Sequence, residues 1–145
     1  MKPFDKTLHS RHDYAAKNAV MEWLEGDGWT VYENPDKYGV DLLAYRDGRE
    51  LMIEVEIKRA WNVKFPFKSL HIPKRKEKFI KPNTIFMVLN DSLTQAYAIH
   101  AEALNMCVTI EKNTSLTREP DQFFEIPLKF AFLYDIENPS REGGS

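Results

Sequence analysis

Between Glu50 and Lys58 the chain alternates without interruption, with Leu51, Ile53, Val55 and Ile57 in one set and Met52, Glu54, Glu56 and Lys58 in the other. A period of two is the pattern of a strand, because successive side chains leave opposite faces of a sheet. Asp47-Gly48 stands just before this run, and a second extended stretch, Val40 to Tyr45, stands before that. Asp-Gly accepts the positive φ angles of a two-residue turn, so the three pieces together predict an antiparallel hairpin. A two-residue loop sets Arg46 against Arg49, and counting back along both strands brings Asp41 opposite Glu54. Asp41, Glu54, Glu56 and Lys58 then share one face within one or two residue spacings, on strands about 4.8 Å apart.

Three carboxylates that close raise one another's pKa unless a cation sits among them. A hard divalent ion with oxygen ligands is the natural partner, and Mg²⁺ commonly takes one or two carboxylates together with waters and substrate phosphate oxygens. Such an ion polarises a phosphate and acidifies a water, and a nearby lysine can orient that water or stabilise developing negative charge. Acids and bases alternating on a half-solvated sheet are also ordinary cross-strand partners, which is the simpler reading of any one of these residues. An acid after Gly39-Val40, then a hairpin, then Glu-x-Glu-x-Lys flanked by β-branched residues favours a site.

The rest of the chain supplies a frame for that hairpin. Ser10-Arg11-His12-Asp13 has capping-box spacing and opens a helical stripe at Ala16, Val20, Trp23 and Leu24, closed by Gly26 and Gly28. Trp29 to Tyr32 reads as a short strand stopped at Asn34-Pro35. Pro73 suits the first turn of a short basic helix to about Ile80, ended by Pro82-Asn83. Thr84 to Leu89 is a continuous apolar run fit for a central strand buried on both faces, and Gln95 to Ile99 suits another. Ala101 to Asn105 fits a helical turn; beyond Met106 no element is assigned, Cys107 to Ile110 being compatible with a strand and Phe123 to Ile136 having no clear period. Cys107, the only cysteine, excludes an internal disulfide or thiolate cluster and reads as a buried small residue.

In this order, with Gly39-Val40-Asp41-Leu42-Leu43-Ala44 followed by Ile53-Glu54-Val55-Glu56-Ile57-Lys58, the chain resembles the PD-(D/E)XK nuclease superfamily, and most closely its small Holliday-junction-resolvase-like members. The resemblance runs from about Arg11 to Ile99. It implies an α/β fold with a restriction-endonuclease-like core, a mixed central sheet in the order αβββαββ with flanking helices. It also implies a Mg²⁺-dependent endonuclease, with Mn²⁺ able to substitute, acting on DNA. Asp41, Glu54 and Glu56 are the implied metal ligands and Lys58 the catalytic lysine. Pro35-Asp36 matches the superfamily's name literally but falls in a loop before the strand, so the role goes to Asp41. The acid-x-Lys element has two frames, Glu56-Ile57-Lys58 in the usual form or Glu54-Val55-Glu56 with glutamate in the lysine position, and a bulge in either strand decides between them. The superfamily often adds an acid from the first helix. At about 100° per residue Asp13 falls on the stripe of Val20 and Glu22 opposite it, and Asp13 also suits a first-turn acid favoured by the helix dipole.

From Lys58 to Lys81 nine bases stand against the single acid Glu77, although the whole chain carries a net charge of −2. What a nucleic acid feels is this local distribution. A charge run is ordinarily a solvated face, but the resemblance places Lys64, Lys68, His71, Lys74, Arg75 and Lys78 beside DNA, with Arg11 and Arg59 flanking. Trp61, Phe65 and Phe67 interleave with these bases, either as stacking surfaces for exposed bases or as core.

One domain is expected over 1–140, with a frayed tail over 141–145. The chain has no apolar run of membrane-spanning length and no secretory segment at Met1-Lys2-Pro3-Phe4-Asp5, which predicts a cytoplasmic protein of a bacterial, archaeal or phage-infected cell. Two cuts across a junction need two sites, so a homodimer is expected. The alternatives are a sequence-specific or nicking nuclease of restriction or repair, and a DNA-binding module that keeps the fold without turnover.

Overall fold

A computed structural model of the chain describes residues 6–113 and 120–137, with side chains from residue 12 onward. The expected tail at 141–145, the end of the expected domain at 138–140 and the side chain of Arg11 lie outside the described residues. Helix α1, Lys6–Gly26, starts upstream of Ser10, so the expected capping box is a turn inside the helix rather than its beginning. Ala16, Val20 and Leu24 form its buried stripe.

Three antiparallel strands follow, β1 (Thr30–Glu33), β2 (Leu42–Arg46) and β3 (Arg49–Lys58). The β2–β3 turn has Asp47 at φ 51° and Gly48 at φ 76°, the left-handed pair that a two-residue hairpin requires. Register follows from it: Arg46 pairs with Arg49 and Leu42 with Ile53. A short strand β4 (Ser69–Pro73) and a 3₁₀ helix (Lys74–Phe79) lead to β5 (Thr84–Asn90), which lies parallel to β3 with Glu54 beside Phe86 and Glu56 beside Val88. Then come β6 (Gln95–His100), a 3₁₀ turn (Ala101–Met106), β7 (Val108–Lys112), β8 (Asp121–Pro127), a 3₁₀ turn (Leu128–Phe130) and β9 (Phe132–Asp135).

The strands form two sheets, one in the order β1-β2-β3-β5-β6-β9 and the other β4-β8-β7. The larger sheet is mixed, as expected. Its β5 is apolar from Ile85 to Leu89 because both faces are covered: Met87 and Leu89 meet Val20 and Leu24 of α1, whereas Phe86 and Val88 meet Leu70, Ile72, Phe124 and Ile126 of the smaller sheet. The smaller sheet departs from the expected αβββαββ order. β4 is inserted before the helical slot, that slot is filled by 3₁₀ helix, and β8 and β9 occupy the stretch without a clear period. Among the described residues there is one α-helix, and none is long and apolar enough to cross a membrane.

Asn90, fully buried at the end of β5, ties the loops around the sheet together. Its Nδ2 donates to Asn62 O at 2.7 Å and Thr94 Oγ1 at 3.1 Å, and its Oδ1 accepts from Thr94 N at 2.9 Å and Gln95 N at 3.0 Å. Removing the amide leaves buried backbone groups without partners, which is costly. Asn90→Ala should lower unfolding free energy by about 3 kcal/mol, read as a drop in urea midpoint at constant slope. A change within about 0.5 kcal/mol contradicts this role.

Candidate active site

β2 begins only at Leu42, opposite Ile53, while β3 runs on to Lys58, so the second half of β3 is paired with β5 on one side and with no strand on the other among the described residues. Asp41, one residue before β2, fills the first part of that edge with its side chain. Its Oδ2 accepts from Val55 N at 2.8 Å, and its own N donates to Glu54 Oε1 at 3.1 Å. The two acids are thus clasped through the backbone N–H groups of Asp41 and Val55.

The loop before Asp41 is built to hold it there. Asn34 donates from Nδ2 to Val40 O at 2.9 Å and from its backbone N to Asp41 O at 3.0 Å. Gly39 makes room, since a Cβ there would stand 2.6 Å from Asn34 Nδ2. Asp36 of the literal Pro35-Asp36 pair is exposed, and its Oδ1 accepts from Tyr38 N at 3.0 Å, a turn-forming role.

Glu54 and Glu56 leave β3 on the face of Phe86 and Val88, and one ammonium bridges them. Lys76, from the 3₁₀ helix, is 2.7 Å from Glu54 Oε2 and is also ion-paired with Glu56 Oε1. Lys17 of α1 pairs with Asp41 Oδ1 at 3.4 Å. These residues line a cleft of about 310 Å³, with Asp13 of α1 and with Arg59 and Arg75 also in its wall. Glu22 lies elsewhere on α1, exposed, accepting from Asn18 Nδ2 at 3.3 Å.

Burial raises the Glu54 carboxyl to about 7; Lys76 pulls it back down and the Asp41 charge adds to the rise. The Lys76 ammonium is buried too, but Glu56 and Glu54 outweigh that cost and hold its pKa above the usual lysine value. Among the described residues no three His, Cys, Asp or Glu side chains enclose a metal ion by themselves. A pair of carboxylates suffices for Mg²⁺, whose other positions go to water and phosphate oxygens. Asp41 and Glu54 are such a pair, with Glu56 adjacent, so the oxygen-only donor set fits a hard divalent ion.

Sequence spacing placed Lys58 with the carboxylates, and here the structure differs. Lys58 emerges on the expected face, but its Nζ lies 4.9 Å from the centre of the Phe67 ring and it takes no part in the cleft wall. The ammonium that bridges Glu54 and Glu56 in the cleft belongs to Lys76, one of nine bases in a run that gave no local sign of singling it out. Arg59 and Arg75 are exposed at the cleft, and Lys64 and Lys68 are exposed on the β3–β4 loop. Lys74 is tied to Glu77 at 2.6 Å, Lys78 lies over the Phe79 ring at 5.1 Å, and His71 stands on the smaller sheet. Trp61 is 1% exposed and packs edge-on against Phe65 and tilted against Tyr97, which makes it core and removes it as a stacking surface; Phe67 is 43% exposed. Cys107, expected to be buried, is half-buried, with its Sγ donating to Ala103 O at 3.3 Å.

No protein-family model matches the chain, and no curated protein sequence matches it. Among solved structures, a bacterial homing endonuclease, I-Ssp6803I, is similar at a TM-score of 0.47 and 18% identity, over 75% of this chain and 78% of that one. At that distance the activity has to be read from the side chains.

Glu54 links the site to folding. Its pKa is about 7 when folded and near the ordinary 4.5 when unfolded, so the folded chain holds the proton more tightly. The stability this contributes is full below pH 4.5 and is lost as pH rises through about 7. In EDTA, urea unfolding of wild type should therefore lose on the order of 2 kcal/mol relative to Glu54→Gln across that window. Parallel profiles for the two proteins contradict the assignment.

Proposed function

We propose that this protein is a metal-dependent nuclease that hydrolyses phosphodiester bonds in DNA. The observation that carries this reading is the clasp of Asp41 and Glu54 at the open edge of β3, with Glu56 and the Lys76 ammonium against it. Asp41 and Glu54 are the residues to hold Mg²⁺, or Mn²⁺ in its place, with Glu56 as a third oxygen donor. When bound, such an ion stabilises the charge that develops on the phosphate and makes the attacking water easier to deprotonate. The chain's own groups do the rest. Lys76 is placed to donate to a phosphate oxygen and offset its charge, the role expected of Lys58 from spacing. Arg59 and Arg75 in the cleft wall hold neighbouring phosphates by charge without reading sequence.

For the substrate we propose branched DNA such as a four-way junction, cut by a homodimer, since the described residues of a chain carry one such cluster and paired cuts need two. Sequence-specific and nicking activities are the other members of this class. A second reading is a DNA-binding module without turnover. One observation favours it: the Lys76 ammonium is ion-paired with both Glu54 and Glu56.

Labelled four-way junction, linear duplex and single strands, each incubated with and without Mg²⁺, separate these readings. Cleavage should require the metal, favour the junction, and fall about 100-fold or more in Asp41→Asn. Equal cleavage by Asp41→Asn puts the site elsewhere, and binding with no cleavage of any substrate selects the module. Lys76→Gln should lower the cleavage rate by about 10- to 100-fold at saturating DNA. A faster Lys76→Gln enzyme would instead make Lys76 a plug.

A further inference from the structure

Lys58, absent from the carboxylate cleft, belongs to a different cluster. β4 pairs with β8 and β8 with β7, so Ser69, His71, Glu125 and Lys112 stand together on the face of the smaller sheet that points away from its buried core of Leu70, Ile72, Phe124 and Ile126. Lys112 Nζ lies 2.7 Å from His71 Nδ1. An ammonium has only donors, so Nδ1 accepts and the imidazole carries its proton on Nε2. Nε2 is 3.3 Å from Ser69 Oγ and 3.5 Å from Glu125 Oε2. Lys112 crosses the Phe123 ring at 4.5 Å to reach the histidine, and Lys58 stands over the partly exposed Phe67 at 4.9 Å.

One ammonium, Lys112, thus contacts the imidazole and a second, Lys58, acts on both by charge, with Glu125 beside the ring and Asp121 across the strand pair from Lys112. Burial first, and then the charge of Lys112, hold the His71 pKa below its usual value, with Lys58 pushing the same way and Glu125 opposing. Burial and Lys58 likewise hold down that of Lys112. Like charges gathered at such a point are relieved by an anion. The position also continues the cleft. Arg75, in the cleft wall, also lines a cavity of about 450 Å³ whose other walls include Lys74, Phe123 and one acid, Asp121, and Phe123 lies beneath Lys112. Cationic and aromatic groups thus run from the carboxylates onto the smaller sheet.

We propose that Lys58, His71 and Lys112 form a phosphate-binding site for the nucleic-acid backbone on the smaller sheet, with Phe67 and Phe123 offering rings to the adjacent bases. The site rests on the reading of the protein as a nuclease and extends it by naming where the strand beyond the scissile bond is held. Lys58 and Lys112 supply the charge. His71 orients Lys112 through Nδ1 and is itself locked by Ser69 and Glu125. Base–ring stacking is sequence-tolerant, as a structure-directed substrate requires.

The test uses the whole chain in EDTA, so that no cleavage enters. The ¹⁵N and ¹H resonances of the His71 ring are followed while inorganic phosphate, and separately a 5′-phosphorylated oligothymidylate, is added. Both should shift them saturably, the oligonucleotide at lower concentration, and Lys112→Gln should abolish the effect. In parallel, the slope of log binding constant against log salt for duplex DNA should become shallower by about 0.9 in Lys112→Gln and again in Lys58→Gln. A silent His71, a response that persists in Lys112→Gln, or unchanged salt slopes overturns the proposal, and a response to inorganic phosphate alone removes the nucleic acid as its source. Loss of cleavage in Asp41→Asn beside a silent His71 keeps the nuclease reading and rejects this site. Asp41-independent cleavage beside a responsive His71 does the reverse.

Discussion

The site depends on a strand that starts too late. β2 begins only at Leu42, opposite Ile53, while β3 runs on to Lys58, leaving backbone groups on one edge of β3 that a sheet would ordinarily pair. Asp41 supplies the missing partner with a side chain, its carboxylate accepting from Val55 N while its own N–H goes to Glu54. A buried backbone N–H must find an acceptor somewhere, and here it draws a carboxylate to within reach of another. Gly39 and Asn34 fix the loop that delivers Asp41, and Val55 and Ile57 anchor the same strand on the core beneath α1. The acidic cluster is thus a consequence of how the sheet is finished at this edge.

Such a cluster is electrostatically unfavourable on its own. Asp41, Glu54 and Glu56 bring three carboxyl groups into one cleft, and the ammonium groups paired with them are Lys17 and Lys76. Burial first, with the Asp41 charge adding to it, raises the Glu54 pKa against the pull of Lys76. A divalent ion relieves the cluster more fully than a lysine can, because it brings two charges and takes oxygen ligands from several directions. Lys76 stands on the segment that follows β4, so any shift of its ammonium is coupled to the basic stretch beside the cleft. The larger sheet holds the acids and the connection to the smaller sheet holds the bases.

Much of this was legible in the residues. Asp47-Gly48 fixed the hairpin, and the register counted from it places Asp41 and Glu54 as the coordinates do. The apolar run of β5 announced a strand covered on both faces. What was hidden is non-local. β4 ends in Pro73 and lies inside a basic run, so it reads as a loop entering a helix, and its partner β8 is far along the chain with no strict alternation of its own. Without the smaller sheet nothing distinguishes Lys76 from its basic neighbours, and nothing connects Lys58 to His71 and Lys112. Alternation tells which face Lys58 leaves, but its final direction is set by Phe67 on the following loop. Trp61 looked equally suited to stacking or to core, and its contacts with Phe65 and Tyr97 decide for the core.

The claim on which the functional reading stands is that Asp41 and Glu54 can hold a hard divalent ion. Electron paramagnetic resonance of Mn²⁺ titrated into the intact chain measures this without substrate. Saturable binding by wild type that competes with Mg²⁺ and is lost in both Asp41→Asn and Glu54→Gln is the predicted result. An unperturbed spectrum of free Mn²⁺ at every concentration, or binding indifferent to both substitutions, would contradict it.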